Sequence, residues 1–276
     1  MHFALQCGPR LLSLEKPRVM GILNVTPDSF SDGGRFDTLD KALAQVESML
    51  SAGADIIDIG GESTRPGAAA VSEQQEMDRV LPVIEAISNR FDTIVSLDTS
   101  RPTLMREGAA VGVGMINDVR ALCMPGALAA AAATGLPVCL MHMKGEPRTM
   151  QQEPVYADVL VEVGQFLAER RQVCIAGGVA ESSIVLDPGF GFGKTLKHNL
   201  TLLKYLSRLG NGSPLLTGLS RKRMFAQILG SDSVDRVTAS VSAALLCVQN
   251  GASIVRVHDV APTVQALAVY RAVQEC

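Results

Sequence analysis

The sequence predicts an α/β fold, a (β/α)8 TIM barrel with a short N-terminal β-hairpin, in a single domain over residues 1–276. The length of 276 residues is typical of this barrel. Eight short apolar runs, each ending in a polar or ionisable residue, have the composition of buried strands. Helical patterns alternate with these runs, in the order of a parallel sheet covered by helices. Eight units favour a closed barrel over an open, doubly wound sheet, which usually has fewer strands.

The apolar runs predict eight strands. They cover residues 19–24, 55–60, 93–97, 115–116, 136–141, 183–186, 215–219 and 253–257. Parallel strands of a barrel end at the same mouth, which is where barrel enzymes keep their chemistry. We therefore expect the residues at or near the strand ends to form one site: Asn24, Glu62, Asp98, Asn117, His142, Asp187, Ser220, Arg256 and His258.

The segments between the strands predict eight helices. They cover residues 39–52, 73–90, 101–111, 126–134, 156–176, 199–209, 234–249 and 262–273. The clearest is the second, in which apolar residues recur at spacings of three and four from Met77 to Ile87. The others begin near Pro, Asp, Ser or Thr and often end at Gly, which are usual helix starts and stops. Residues 3–17 precede the first strand, and we expect them to form a hairpin that closes the bottom of the barrel.

The composition excludes several classes of protein. With 25 basic and 28 acidic residues, the chain lacks the electrostatic signature of a nucleic-acid or membrane-surface protein. The apolar stretch 121–141 is interrupted by Pro and Gly, so it does not predict a membrane-spanning helix. The first seven residues have no basic region and no long apolar run, and we expect no export signal. Six cysteines without a CxxC pair are expected to be reduced, which favours a cytoplasmic location.

The glycine-rich segment 187–195 (DPGFGFGKT) does not fit either common phosphate-binding motif. A Walker loop requires glycine five residues before the Gly of Gly-Lys-Thr, where this chain has proline. The dinucleotide motif requires a different glycine spacing. We expect a flexible loop that carries Phe190, Phe192 and Lys194 over the site. The alternatives are a structural turn and, for Asp187, a helix cap.

Carboxylate, amide and ammonium groups at the strand ends predict a flat, nitrogen-rich ligand. Asp187 can accept two parallel N–H bonds from a ring amidine, as a carboxylate does from Arg. Asn117 has a donor and an acceptor for a second ring edge, and Lys222 can donate to a ring oxygen or nitrogen.

A second group of residues predicts an anion site. Arg256 and His258 alternate on the last strand, so both point to one face. Together with the neutral donors Asn24, Ser63 and Thr64 they suit phosphate groups. The alternative for Arg256 is an exposed salt bridge.

Other features leave alternatives open. His142 lies between two methionines, and a wall or core role is as consistent with this position as a ligand contact. No His/Cys/carboxylate cluster has zinc spacing, so any metal is expected to be a hard cation such as Mg²⁺, held largely by phosphate oxygens. We expect the long loops at residues 25–34 and 61–67 to close over the site and exclude water; plain surface loops are the alternative.

Eight motifs occur in order along the chain: NVTPDSFSDGG, GGESTRPGA, SLDTS, INDV, LMHM, LDPGFGFGK, LSRK and RVHDV. Together they resemble the dihydropteroate synthase family of the folate pathway. The resemblance extends from Val19 to the final helix, and the ordered set is far more specific than any single motif.

The resemblance implies that 6-hydroxymethyl-7,8-dihydropterin pyrophosphate and 4-aminobenzoate condense to 7,8-dihydropteroate and pyrophosphate. The implied catalytic residues, which also hold the pterin together with Met141, are Asp98, Asn117, Asp187 and Lys222. The implied pyrophosphate contacts are Thr64, Arg65, Arg256 and His258, and the implied Mg²⁺ ligand is Asn24. The implied aminobenzoate pocket, where sulfonamides compete, consists of Phe30, Pro66, Phe190 and Ser220. A homodimer formed through the late helices is also implied.

The charges favour a dissociative reaction, in which pyrophosphate leaves before the aminobenzoate nitrogen attacks. The conjugated dihydropterin can spread the resulting positive charge, and Asp98 is expected to stabilise it. One rival is a pterin-binding methyltransferase domain, against which Arg256 and His258 argue. Another is a catalytically silent relative, which would be expected to lose Asp98, Asn117 or Lys222.

Overall fold

The eight strands predicted from the sequence close into a barrel. The computed structural model describes residues 3–26, 35–62, 71–145 and 154–276, with the backbone alone for residues 35–38. Its strands are β1 (Ala4–Cys7), β2 (Arg10–Ser13), β3 (Arg18–Asn24), β4 (Ile56–Gly60), β5 (Ile94–Asp98), β6 (Met115–Asp118), β7 (Val138–Met141), β8 (Ile184–Asp187), β9 (Leu215–Thr217) and β10 (Ala252–Val257). Strands β3 to β10 are parallel and neighbour each other in sequence order, and β10 pairs with β3. The (β/α)8 prediction is confirmed.

Helices surround this barrel. In the described residues they are α1 (Arg35–Ser51), α2 (Glu73–Arg90), α3 (Pro102–Ala110), α4 (Ala127–Thr134), α5 (Val159–Ala176), α6 (Leu196–Lys204), α7 (Arg223–Leu229), α8 (Val237–Gln249) and α9 (Val260–Gln274). Sequence analysis missed α7, whose seven residues are too few to show a periodic pattern. It also began α5 too early, since Asp158 caps this helix by accepting from the Leu160 and Val161 N–H groups. The bounds of α2 are as predicted, because Ser72 and Gln75 form a capping box.

The N-terminal hairpin closes the bottom of the barrel, as predicted. Strands β1 and β2 pair antiparallel, and the hairpin contributes Leu5, Cys7, Leu12 and Leu14 to a separate buried cluster. The rest of that cluster takes one residue from each barrel strand: Met20, Ile56, Ile94, Met115, Cys139, Val185, Leu216 and Ile254. This apolar layer seals one end of the barrel, so polar chemistry is confined to the other.

The layer above the seal consists of the residues two positions further along each strand, because side chains alternate between faces of a strand. These residues are Ile22, Asp58, Ser96, Asn117, Met141, Asp187, Gly218 and Arg256. The lining of the barrel interior therefore changes from aliphatic to largely polar within two residues along each strand. This ring forms the floor of the mouth.

Two further features of the chain agree with the sequence analysis. No helix of the described ranges combines the length and the apolar character needed to cross a membrane. All six cysteines lie within these ranges, and every one is a free thiol.

The loop after β8 touches the end of β7 so closely that only glycine fits at two positions. Gly189 has φ +67°, and a Cβ there would lie 1.9 Å from the His142 carbonyl oxygen. Gly193 has φ +63°, and its Cβ would lie 2.1 Å from the Lys144 carbonyl oxygen. The glycine spacing that fails the phosphate-loop patterns is thus explained by backbone packing.

Gly189→Ala is therefore expected to destabilise the fold more than Gly135→Ala. Gly135 has nearly the same φ, +66°, but open space around its missing Cβ. The control carries only the cost of a left-handed alanine, about 1 kcal/mol, whereas Gly189→Ala adds a backbone clash. Urea denaturation of both variants measures the difference. Equal losses of unfolding free energy would show that the loop relaxes away from β7.

Candidate active site

The centre of the mouth is a guanidinium shared by two carboxylates. Arg256 on β10 donates from Nε to Asp58 Oδ2 (2.6 Å) and from Nη2 to Asp98 Oδ2 (2.8 Å). Asp58 is fully buried on β4 and also accepts from Ser96 Oγ (2.6 Å). Asn117 Nδ2 lies 3.3 Å from Asp58 Oδ2. Four strands that are distant in sequence are joined by this one network.

Asp98 lies at the end of β5, with 12% of its side chain exposed. Burial raises its pKa to about 7; the Arg256 guanidinium opposes the rise, and the carboxylates of Asp58, Asp118 and Glu76 add to it. A carboxyl with a pKa near neutrality at a barrel mouth is typical of a functional group. Arg256 stays charged, because Asp58 and Asp98 outweigh the burial that would lower its pKa.

Asp187, at the end of β8, provides a further buried carboxylate of the mouth. Its Oδ1 accepts from the Gly189 backbone N–H (2.7 Å), in the loop that follows β8. Burial raises the pKa of Asp187 to about 6, against the lowering effects of the Gly189 hydrogen bond and the Lys222, Lys194 and Arg256 charges. A buried carboxylate with cationic neighbours is suited to accept N–H donors of a ring, as the sequence analysis predicted.

Lys222 lies near enough to Asp187 for its charge to lower the pKa of that carboxyl. Its backbone precedes α7, and its Nζ is 4.1 Å from the centre of the Phe192 ring. Phe192 also belongs to a small apolar cluster with Val119 and Met141. Met141 thus forms part of an apolar wall beside the charged groups, which is the lining that a flat ring requires.

Ser220 and His258 meet at the other side of the mouth. Ser220 Oγ accepts from the His258 backbone N–H (3.1 Å) and lies 3.0 Å from its ring Nδ1. Ser220 therefore fixes the orientation of the imidazole. The predicted aminobenzoate contact and the predicted pyrophosphate contact are in direct contact with each other.

An ion pair joins the two loops that carry these groups. Arg221 has φ +56°, an uncommon conformation for a non-glycine residue, and binds both oxygens of Asp259 (3.0 and 2.6 Å). Its backbone N–H donates to Ser240 Oγ (2.8 Å). This bidentate pair places the β9 loop, with Lys222, against the β10 end, with His258.

The glycine-rich loop differs from the prediction. We expected it to carry Phe190, Phe192 and Lys194 flexibly over the site, but Phe190 is 1% and Lys194 3% exposed. Lys194 Nζ lies 2.9 Å from His142 Nδ1 and donates to the carbonyls of Gly189 (2.8 Å) and Phe192 (3.0 Å). A lysine enclosed by its own loop's carbonyls fixes that loop, so the structural-turn alternative is the better description.

The same lysine settles the role of His142. Burial and the Lys194 charge lower the pKa of His142 to about 3, so the imidazole is neutral. Its Nδ1 then accepts from Lys194, and its ring packs edge-on against Phe166 at 5.0 Å between centroids. His142 is a wall residue that supports the loop.

The sequence-predicted residues converge only in part within the described residues. Asn24, Asp98, Asn117, Met141, Asp187, Ser220, Lys222, Arg256 and His258 lie at or near the barrel mouth. Phe190 follows β8 but is buried in the main core. Phe30, Thr64, Arg65 and Pro66 lie outside the described residues. Arg256 is salt-bridged, although to carboxylates inside the mouth rather than on an exposed surface.

Sequence analysis missed Asp58 and Ser96. Both lie inside predicted strands, whereas the site residues were expected at the strand ends. The strand period could have identified them. Asp58 and Ser96 are two residues before the strand ends Gly60 and Asp98, so they point to the same face of the strand as those residues. A charged residue on an otherwise apolar barrel strand is itself a functional indication.

The described part of the chain offers few metal ligands. It contains no group of three or more His, Cys, Asp or Glu residues able to hold an ion. Asn24, half-buried at the end of β3, has a hard carboxamide oxygen. One such oxygen fits a cation such as Mg²⁺, which usually takes few protein ligands and is otherwise bound by water and phosphate oxygens.

Comparison with known proteins agrees with this geometry. The model of the family "Pterin binding enzyme" matches residues 20–258. The dihydropteroate synthase of Escherichia coli (strain K12) is 53% identical over 262 residues, covering 95% of this chain and 93% of the relative.

Solved structures show the same similarity over the full length. Dihydropteroate synthase of Yersinia pestis, in complex with a sulfonamide drug, superposes with a TM-score of 0.94 at 52% identity. That of Xanthomonas albilineans, with 4-aminobenzoic acid, has a TM-score of 0.94 at 49% identity. Each comparison covers 100% of both chains. The polar ring of the mouth, the matching family model and these full-length relatives together show that this chain belongs to the dihydropteroate synthase family.

Proposed function

We propose that this chain condenses 6-hydroxymethyl-7,8-dihydropterin pyrophosphate with 4-aminobenzoate to give 7,8-dihydropteroate and pyrophosphate. The observation that carries the proposal is the convergence of Asp98, Asn117, Asp187 and Arg256 on one barrel mouth in a member of this family. Membership alone would allow a silent relative, but the charged groups that the chemistry requires are retained.

The pterin binds among the buried polar groups in this proposal. Asp187 accepts two N–H donors from the ring, Asn117 pairs with a second edge, and Lys222 donates to a ring heteroatom. Support comes from the burial of both Asp187 and Asn117, each 4% exposed, beside the apolar wall of Met141. Buried polar groups gain most from a ligand that completes their hydrogen bonds.

The reaction then follows from charge. The bond between the pterin methylene carbon and the pyrophosphate oxygen breaks, and the electron pair leaves with pyrophosphate. Positive charge develops on the dihydropterin, where the nearby Asp98 carboxylate stabilises it. The aminobenzoate nitrogen forms the new carbon–nitrogen bond and loses a proton. Electrostatic groups fixed in advance are the usual source of such stabilisation.

Pyrophosphate binds at the β10 end in this proposal. Arg256 and His258 hold its oxygens, joined by Thr64 and Arg65 of the segment after β4. The fixed imidazole of His258, held by Ser220, supports this assignment. Asn24 would hold Mg²⁺ together with phosphate oxygens, and the bound ion would supply positive charge to the leaving group.

The aminobenzoate pocket consists of Phe30, Pro66, Phe190 and Ser220 in this proposal. We propose that sulfonamides compete there, since the similar Yersinia pestis enzyme has been solved with a sulfonamide drug. The burial of Phe190 limits its part to the wall behind the pocket unless the loop moves.

The proposed activity is tested by measuring pyrophosphate release with each substrate alone and with both. We expect rapid release only when the pterin pyrophosphate, aminobenzoate and Mg²⁺ are all present, together with formation of dihydropteroate. Release at the same rate without aminobenzoate would indicate a pyrophosphatase. No release under any condition would reject the proposed function.

Pterin affinity is expected to depend on pH through Asp187. With a pKa of about 6 in the ligand-free protein, the carboxylate that accepts N–H donors is lost on acidification. The contribution of Asp187 to the affinity for 6-hydroxymethylpterin should be lost as the pH falls through about 6, by at most about tenfold per pH unit. Isothermal titration calorimetry measures this.

Asp187→Asn is the matched variant for that measurement. It should bind roughly 10- to 100-fold more weakly at pH 8, since it loses charge-assisted hydrogen bonds, and it should lose the Asp187 contribution to the acid dependence. An unchanged affinity, or an acid dependence identical to that of the parent, would show that another group holds the ring.

We further propose a single-domain, cytoplasmic protein that forms a homodimer through its late helices. Exposed apolar side chains on α6, α7 and α8 support the dimer: Leu200, Ile228, Leu229 and Leu246. Apolar residues left on neighbouring surface helices are typical of subunit interfaces. The six free thiols support the reducing location.

Leu246→Glu is expected to convert the dimer to a monomer of 29.2 kDa, because it places a charge in an apolar interface. Light scattering coupled to gel filtration measures the mass. Val161→Glu, at a 60% exposed valine on α5, is the control and should remain dimeric. A monomeric parent, or a dimeric Leu246→Glu, would contradict this interface.

A further inference from the structure

Asp58 is a buried carboxylate that is not itself among the proposed substrate contacts. It is fully enclosed in the ring above the apolar seal, with no exposed surface. A carboxylate in such a place is expensive unless each oxygen finds donors. Asp58 finds three, from three other strands: Ser96 Oγ at 2.6 Å, Arg256 Nε at 2.6 Å and Asn117 Nδ2 at 3.3 Å.

The contact with Arg256 fixes the plane of the guanidinium. A guanidinium is a rigid, planar fork, so holding Nε on Asp58 determines where the terminal nitrogens lie. One of them then reaches Asp98 Oδ2 at 2.8 Å. The side chain of Arg256 is 22% exposed and that of Asp58 is fully buried, so Asp58 holds the guanidinium from the interior of the barrel.

The contact with Asn117 fixes the orientation of its amide. Both oxygens of Asp58 are acceptors, so only the NH2 end of Asn117 can face them. The Asn117 carbonyl oxygen must then point away from Asp58. One buried carboxylate thus orients a predicted pterin contact and a predicted pyrophosphate contact together.

We propose that Asp58, supported by Ser96, is a positioning residue that aligns Asn117 and Arg256 for the departure of pyrophosphate from the bound pterin. This inference rests on the proposed function, and it assigns to Asp58 no contact with substrate. Its effect is transmitted through the two side chains that it holds.

The charge of Asp58 also acts on Asp98. The charges of Arg256, Asp58, Asp118 and Glu76 all act on Asp98, and Asp58 is one of the carboxylates that raise its pKa. Asp58→Asn takes away one negative charge near Asp98 and leaves its contact with Arg256 in place. The pKa of Asp98 should then fall, because repulsion is lost and attraction is kept.

Asp58→Asn tests the proposal, with Asp55→Asn as the matched control. Asp55 lies three residues earlier, at the opposite end of the barrel, where it pairs with Arg18 (2.9 Å) and with the Val19 N–H (2.8 Å). Both variants remove one carboxylate from an Asp–Arg pair. Each is compared with the parent for unfolding by urea, kcat, KM for each substrate and the pH profile of kcat/KM.

We expect Asp58→Asn to lower kcat/KM for the pterin pyrophosphate by roughly 100-fold, the usual size of a misalignment effect. KM for aminobenzoate should change less than about threefold, since no aminobenzoate contact depends on Asp58. The acid limb of the profile should move to lower pH. Asp55→Asn should lose stability but keep the kinetic constants and acid limb of the parent.

Each other result has a defined meaning. If folded Asp58→Asn matches Asp55→Asn in kinetics and pH profile, Asp58 is only structural and the proposal is overturned. If Asp58→Asn does not fold, Ser96→Ala decides in its place: a fall in kcat/KM of roughly fivefold or more supports positioning, and parental kinetics reject it. An inactive parent rejects the proposed function, which separates that failure from this one.

Discussion

The mouth of this barrel depends on one guanidinium that lies between two carboxylates. Arg256 binds Asp58 through Nε and Asp98 through Nη2, and the three residues come from three different strands. Burying any one of these charges alone would be costly, so the three must be assembled together. The guanidinium offsets part of the charge of the two carboxylates, which allows a charged centre to exist directly above an aliphatic layer.

The aliphatic layer closes one end of the barrel, so the polar ring faces only the mouth. Each barrel strand contributes one residue to the seal formed with the hairpin, and its next inward residue belongs to the mouth. Water is therefore excluded from one side of the charged groups, which raises the pKa of Asp98 to about 7 and that of Asp187 to about 6. The fold thus creates the electrostatic conditions of the site as well as its geometry.

The loops around the polar ring are held in place by contacts that have no proposed role in the reaction. Lys194 ties the glycine-rich loop to His142, and Gly189 lets that loop touch the end of β7. The Arg221–Asp259 pair joins the β9 loop to the β10 end. These loop-holding residues lie in the same sequence motifs as the catalytic candidates. The motifs therefore include residues that hold the loops as well as residues proposed to contact substrate.

The sequence by itself determined the barrel, the closing hairpin and most of the residues at the mouth. It could do so because strand and helix periods are local properties and parallel strands must end together. It also distinguished the glycine-rich loop from a phosphate loop by spacing. What it could not give were α7, which is too short to be periodic, and the burial of Phe190 and Lys194, which depends on what packs against them.

Only the tertiary structure decided the partners of Arg256. The sequence offered an anion site or an exposed salt bridge, and nothing local in Arg256-Val-His258 selects Asp58, 198 residues away. The pairing exists because barrel closure brings β10 close to β4 across the interior. Residue types and strand periods are written in the sequence, whereas the sharing of a buried charge is a property of the closed barrel.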